Sequence, residues 1–287
     1  MKIAVVGADG QLGSDLVKIL ADRGACFPLF YPEFDLTKPA AVRSRLNQLD
    51  CDVVINTAAY NRVDDSEEYP EEAFRLNAFA VRNLARTCKE LNLFLVHYST
   101  DYVFDGGKSR PYTEDDCPAP LNVYGISKLA GEYFLKNSLS RCLIIRTSGL
   151  FGAAGCWGKG HNFIDIMIGL ENSGDPIRVV EDQTISPTHS FELAEKTLDL
   201  LDRKASGLFH LTNEGQCSWF ELAQCIFDLR GSNCRLAPVL SEEFGAKARR
   251  PAFSVLENGR AKSLGIPDMS DWENAVEDYM KIKGYIR

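Results

Sequence analysis

The sequence predicts an α/β fold, a doubly wound parallel sheet with a smaller C-terminal substrate-binding lobe, on three observations. Short, near-continuous apolar runs read as strands buried on both faces, and they alternate with helix-length stretches. The first run feeds directly into a glycine turn that opens a helix. The chain has 287 residues, 45% hydrophobic and 25% charged, the composition of an ordinary globular protein. That length is large for one compact core. Residues 1–148 are therefore expected to form one domain and 149–287 mainly the second lobe, with some segments returning to the first. No repeat, low-complexity segment or Pro/Gly/Ser-rich linker marks the boundary.

Taken in order, Ile3 to Val6 is a strand, and Leu12, Leu16, Ile19 and Leu20 then fall on one helical face. The strand signal recurs at 26–30, 53–56, 93–98 and 143–147. Helices are expected between them over 39–49, 70–91 and 123–136. After Thr147 the texture changes. Gly149 to Gly160 reads as a mobile loop, followed by a helix near 162–170, short strands, helices near 191–201 and 218–229, and a C-terminal helix from about Asp271.

A formal charge of −8 argues against a nucleic-acid surface, which needs clustered Lys and Arg. It also means that an anionic substrate must be met by local cations or backbone amides. No apolar run approaches the ~20 residues of a membrane span, and the opening Met1-Lys-Ile-Ala-Val-Val has no signal-peptide pattern. The 9 cysteines contain no C-x-x-C pair and read as reduced thiols, which predicts a cytoplasmic protein.

Gly7-Ala-Asp-Gly10-Gln-Leu-Gly13 sits between strand and helix. Glycines there let the backbone turn tightly, approach a pyrophosphate and present a helix N-terminus to its charge, the Rossmann-like dinucleotide site. Spacing alone is weak evidence, because Gly149, Gly152, Gly155 and Gly158 repeat it where no helix follows directly. The acid expected on the adenosine ribose is Asp35, with Glu33 as an alternative, which leaves NADH and NADPH both open.

Tyr124 and Lys128 lie four apart in a helical stretch, on one face, where an ammonium favours the phenolate and fits the tyrosine to give a proton to a carbonyl oxygen. Tyr279 and Lys283 have the same spacing and read as a surface helix pair. Ser99-Thr100-Asp101 follows the strand at 93–98, at the carboxyl edge where ligands bind in such sheets. A hydroxyl there can reach the same carbonyl oxygen. The histidines 97, 161, 189 and 210 show no metal-ligand spacing.

These segments resemble the extended short-chain dehydrogenase/reductases, and within them the reductases that turn dTDP-4-dehydrorhamnose into dTDP-L-rhamnose. The likeness is carried by Asn56 to Tyr60 with Val63-Asp64, Ser99 to Gly106, Pro120 through Tyr124 and Lys128 to Glu132, and Arg146-Thr-Ser. It continues through Asn162-Phe163, Asp182-Gln183, Ser186-Pro-Thr188, His210 to Gly215, Ser218-Trp219 and Ala248 to Pro251. It implies NAD(P)H-dependent reduction of the C4 keto group of a nucleotide-linked 4-keto-6-deoxy sugar. Tyr124 would be proton donor, Thr100 would polarise the keto oxygen, and Lys128 would hold the nicotinamide ribose. Gly7, Gly10, Gln11, Leu12, Gly13, Asp35, Leu36, Ala58, Ala59 and Tyr60 would line the cofactor. Thr100, Asp101, Tyr102, Tyr124, Gly149, Asn162 and Arg250 would face the substrate, with Arg249 and Arg250 the local cations for its diphosphate.

One departure stands out. The family reads Arg-Thr-Ser-Trp where this chain has Arg146-Thr-Ser-Gly149, and the lost tryptophan would open space beside the sugar. Either another residue, with Trp157 and Phe151 as candidates, covers the gap, or the sugar differs from the usual 4-keto-6-deoxyhexose. Some relatives bind Mg²⁺ through carboxylates at a homodimer contact, for which Asp15, Glu192 and Glu273 are loose candidates. Related dehydratases carry an acid where Tyr102 stands, which favours simple reduction. The same resemblance reaches a non-catalytic regulatory subunit of methionine adenosyltransferase, against which the intact Thr100, Tyr124 and Lys128 argue.

Overall fold

A computed structural model describes residues 1–21, 23–24, 26–155, 160–171 and 175–287. Strand β1 (Ile3–Val6) leads through the glycine turn into α1 (Gln11–Ala21), followed by β2 (Cys26–Leu29), α2 (Pro39–Gln48) and β3 (Val53–Asn56). Helices α3 (Val63–Glu68), α4 (Pro70–Phe74) and α5 (Val81–Glu90) precede β4 (Phe94–Thr100), and α6 (Val123–Ser138) precedes β5 (Leu143–Thr147). The second half adds β6 (Leu150–Phe151), α7 (Phe163–Leu170), β7 (Ile177–Val180), β8 (Thr184–Ile185), β9 (Thr188–His189), α8 (Ser190–Asp202) and β10 (Gly207–His210). Then come β11 (Cys217–Ser218), α9 (Trp219–Arg230), β12 (Leu236–Val239), α10 (Ser241–Phe244), α11 (Gly259–Ser263) and α12 (Trp272–Ile282).

Six parallel strands form the central Rossmann-like sheet in the order β10-β5-β4-β3-β1-β2. Strands β1, β3 and β5 are buried along their whole length, which is why they read as unbroken apolar runs. The chain steps from β1 to β2 on one side and to β3 on the other. Ligands bind outside the carboxyl ends of the strands at such a reversal.

Each sheet face carries its own core. Leu12, Leu16 and Leu20 of α1 and Leu193, Leu198 and Leu201 of α8 cover one face. Val42 and Leu46 of α2, Val81, Leu84 and Ala85 of α5 and Leu135 of α6 cover the other. A further core joins Ile164 and Met167 of α7 to Leu222 and Ile226 of α9 and to Ala275, Val276 and Tyr279 of α12. Strand β10 returns to the sheet and pairs with β5, Gly207 opposite Leu143.

Three expectations change. The helix expected over 70–91 is interrupted by a π-helical turn at Arg75–Ala80. The stretch after Thr147 begins with ordered pairing and not with a loose loop, since Leu150 and Phe151 lie in parallel register with Thr188 and His189. Gly158 and Trp157 lie outside the described residues. Tyr279 is no surface residue, because it is 0% exposed. It falls on the stripe Trp272, Ala275, Val276, Met280 that faces the core, and helical periodicity buries it.

Candidate active site

A cavity of about 1100 Å³ runs along the carboxyl edge of the sheet. That exceeds what one drug-sized ligand ordinarily fills. One wall is the glycine turn with Gly10, Gln11 and Leu12. Next come Ala58, Ala59 and Tyr60 after β3, Thr100 at the end of β4, and Thr147 and Ser148 at the end of β5. Tyr124 and Lys128 of α6 also line it, as do Asp35, Leu36, Asp101, Tyr102, Gly149, Asn162 and Arg250. The cavity thus gathers the sequence-predicted site residues, with Arg249 outside its lining.

The turn is built by close packing. Gly7 has φ +74°, and a Cβ on Gly13 would lie 2.0 Å from the Gly7 carbonyl oxygen, so α1 can start only where position 13 has no side chain. Asp35 at the far end accepts from the Thr37 amide and hydroxyl at 2.9 and 2.7 Å. Burial raises its pKa, but those bonds together with Lys38 and Arg75 outweigh it and hold the carboxyl below its usual range. Glu33 is exposed and off the lining.

Asn77, on the π-helical turn, fixes the β3 loop to α6. Its Oδ1 accepts from the Tyr60 amide at 2.8 Å, and its Nδ2 donates to the Tyr60 carbonyl at 2.9 Å and to Ser127 Oγ at 3.0 Å. Ser127 in turn donates to the Tyr124 carbonyl at 2.8 Å. Helix α6 starts at Asn122, whose side chain accepts from the Gly125 amide and donates to the Arg249 carbonyl, both at 2.8 Å. Lys128 is buried, and its Nζ donates to the Tyr98 carbonyl at 2.6 Å. Burial lowers its pKa to about 8, against the opposing charge of Glu132. The Tyr124 ring meets Tyr102 edge-on at 5.9 Å between centroids.

Thr100 Oγ1 donates to Asp101 Oδ1 at 3.0 Å and accepts from the Tyr102 amide at 3.2 Å. The other oxygen of Asp101 accepts from Ser148 at 2.8 Å and Ser254 at 2.6 Å. Asp101 is buried, and desolvation raises its pKa despite those hydroxyl bonds. It is a buried anchor of the site, and Thr100 can turn its hydroxyl outward while Asp101 keeps two donors.

Arg250 is already paired, its Nη1 and Nη2 donating to Asp64 at 3.1 and 2.8 Å. Arg178 on β7, which sequence reasoning missed, also lines the cavity and pairs with Glu243 at 2.9 Å. Its signal was a lone charge inside the apolar run Ile177 to Val180. Asn162 lies on the cavity wall with its amide committed to protein acceptors. At Gly149, φ is +53°, and a Cβ would sit 2.9 Å from Ile185 Cδ1 and 3.1 Å from Pro187 Cα. A side chain in the Cβ direction would therefore run into the β8–β9 segment, while Gly149 itself stays on the cavity wall. Phe151 stacks on His189 at 5.4 Å, inside the third core.

Ser99 Oγ and Thr147 Oγ1 are buried, line the cavity and have no hydrogen-bond partner among the described residues. Buried hydroxyls are rarely left so. A glycine turn opening a helix at one wall, and unsatisfied hydroxyls beside Tyr124 and Lys128 at another, fit a dinucleotide. The same is not true of Mg²⁺. No group of three or more His, Cys, Asp or Glu that could hold a metal occurs among the described residues. Asp15 instead accepts from Ser190, Glu192 accepts from Asn213 at 2.9 Å, and Glu273 is exposed.

Residues 1–284 match the family described as the RmlD substrate binding domain. The chain belongs to that family. Among relatives within it, a dTDP-4-dehydrorhamnose reductase of Burkholderia thailandensis is 37% identical over 293 residues, covering 96% of this chain and 97% of its own. The crystal structure of a dTDP-4-dehydrorhamnose reductase from Clostridium acetobutylicum matches with TM-score 0.93 at 37% identity, over 98% of this chain and 99% of that one. The dTDP-4-dehydrorhamnose reductase of Bacillus anthracis, solved in complex with NADP, matches with TM-score 0.93 at 35% identity, over 98% and 100%. The eight described cysteines are free thiols. No helix among the described residues is long and apolar enough to cross a membrane.

Proposed function

We propose that this chain reduces the C4 keto group of a nucleotide-linked 4-keto-6-deoxy sugar, dTDP-4-dehydrorhamnose, with NADPH or NADH. In this reading residues 1–148 hold the dinucleotide and 149–287 supply most of the sugar-nucleotide wall. The reading rests on one observation above the rest: Lys128, buried, and Tyr124, half-buried, share a face of α6 within the cavity that also holds the glycine turn and Thr100.

Bound reduced nicotinamide would supply hydride to the sugar carbon. Gly7, Gly10, Gln11, Leu12, Gly13, Asp35, Leu36, Ala58, Ala59 and Tyr60 hold the dinucleotide, and Lys128 holds its ribose. Tyr124 gives its phenolic proton to the keto oxygen, with the Lys128 ammonium favouring the phenolate left behind. Thr100 turns its hydroxyl from Asp101 to the same oxygen. Arg250 and Arg178 face the diphosphate, which answers the need for local cations in a chain of charge −8.

Replacing Tyr124 with Phe tests this. Dinucleotide binding is expected to persist, while consumption of reduced nicotinamide with dTDP-4-dehydrorhamnose falls roughly 10²- to 10⁴-fold. Unchanged turnover would remove Tyr124 from the reaction. A panel of nucleotide 4-keto sugars, followed by the same absorbance, tests the substrate.

A further inference from the structure

A buried hydrogen-bond chain, separate from Tyr124, Lys128 and Thr100, joins the glycine turn to the far wall of the cavity. Gln11, the first residue of α1, is buried, lines the cavity and accepts at Oε1 from Asn162 Nδ2 at 3.3 Å. The same amide donates to the Gly152 carbonyl at 3.2 Å and to Tyr279 Oη at 2.8 Å. Asn162 Oδ1 caps α7 by accepting from the Asp165 amide at 3.0 Å. Tyr279 then donates to Asp165 Oδ1 at 2.6 Å, as Tyr285 does at 2.8 Å.

Both ends of this chain line the cavity. Gln11 stands at the glycine turn proposed to take the dinucleotide, and α7 presents Phe163, Ile164 and Met167 to the cavity. The Tyr279 hydroxyl is not needed to pack α12, which Trp272, Ala275, Val276 and Met280 already bury. It touches instead the cap and the first turn of α7. A Cβ on Gly152 would meet Ser190 Oγ at 1.9 Å and Gln11 Cβ at 3.2 Å, so the strand end is held tight against the turn.

We propose that Asn162 and Tyr279 are positioning residues that couple the two halves of the cavity, so that a dinucleotide on the glycine turn raises affinity for the sugar nucleotide. The inference rests on the function proposed above. A dinucleotide packs on Gln11 and strengthens its hold on Asn162, and Asn162 with Tyr279 fixes α7. The second ligand then meets a wall already ordered, and by linkage the effect is reciprocal.

The test is calorimetric titration of the full chain with dTDP, with and without saturating NADP⁺, so that no turnover intervenes. Wild type is expected to bind dTDP at least about 5-fold more tightly when NADP⁺ is present. Tyr279→Phe keeps the ring and loses the bridging hydroxyl. Asn162→Ser keeps an oxygen able to cap α7 and loses the amide. Each is expected to bring the ratio close to one while still binding NADP⁺, and the serine variant carries the test if the phenylalanine variant does not fold. A merely structural or direct-contact role would weaken dTDP equally in both conditions and leave the ratio unchanged, which would overturn the inference. A wild-type ratio of one, with both ligands binding, would overturn it while sparing the proposed function. Failure of wild type to bind NADP⁺ at all would overturn both.

Discussion

Glu132 and Arg146 form a buried, two-pronged ion pair that pins α6 to β5 one turn beyond Lys128. Arg146 Nε and Nη2 each donate at 2.8 Å to the two Glu132 oxygens, and the guanidinium lies 5.1 Å from the Phe104 ring centre. Breaking such a pair strands a charge out of water, which typically costs about 3–5 kcal/mol, whereas replacing both members with apolar groups costs far less. Glu132→Gln and Arg146→Met are each expected to lose stability on that scale in urea unfolding. The double variant Glu132→Leu/Arg146→Met is expected to lose less than the two singles together. Single variants within about 1 kcal/mol of wild type would show that water reaches the pair.

The glycine turn separates two roles that sequence spacing cannot. A Cβ at Gly10 would find only the Gly7 oxygen at 3.4 Å, ordinary contact, while one at Gly13 would strike backbone at 2.0 Å. Gly10→Ala is therefore expected to melt within a degree or two of wild type but to bind dinucleotide more weakly, because Gly10 lines the cavity proposed for it. Gly13→Ala is expected to lose stability and dinucleotide together. Differential scanning fluorimetry with and without NADPH reads both, and equal melting of the two variants would contradict this account of the turn.

The parts of the fold legible in the sequence were those carried by local periodicity. The first five strands of the sheet, the glycine turn and the shared face of Tyr124 and Lys128 each announce themselves within a dozen residues. Strand β10 did not, because four residues at 207–210 become the edge of the sheet only by returning to β5 from far along the chain. Ser148 reaches Asp101 across 47 residues and Ser254 across 153, and nothing local marks the second. Tyr279 is legible from the apolar stripe on which it sits, although its spacing to Lys283 mimics a surface pair. At Gly149 the missing side chain predicts open space, and the residue does lie on the cavity wall, with the β8–β9 segment in the direction a Cβ would take.

Lys128 sets function against stability. The unfolded amine keeps its proton to 10.5 and the buried one only to about 8, so the folded chain binds fewer protons between those values. Its contribution to stability rises with pH across that window. Below about 8 the buried charge costs on the order of 3 kcal/mol. Lys128→Met is therefore expected to melt no lower than wild type near neutral pH, with its advantage shrinking as the pH is raised, while turnover falls. A variant melting well below wild type near neutral pH would show that the bond to Tyr98 outweighs the burial cost.

Arg75 lines the cavity close enough to Asp35 for their charges to interact, which in the proposed function predicts two opposing preferences at the adenosine ribose. Asp35 is the acid that suits a free ribose hydroxyl, and its lowered pKa keeps it ionised at neutral pH, where it repels a 2′-phosphate. Arg75, at the start of the π-helical turn, lines the same end, is exposed and pairs with Glu72, so its guanidinium can swing to a phosphate at little cost. If the dinucleotide lies as proposed, the balance of the two would set the choice between NADPH and NADH. Arg75→Ala is expected to raise KM for NADPH several-fold and leave KM for NADH nearly unchanged, since an exposed charge–phosphate contact is lost only with the former. Asp35→Asn is expected to act in the opposite sense, weakening NADH and sparing NADPH. Steady-state kinetics with both dinucleotides decides it, and equal shifts of both KM values in Arg75→Ala would mean that this arginine does not face the 2′ position.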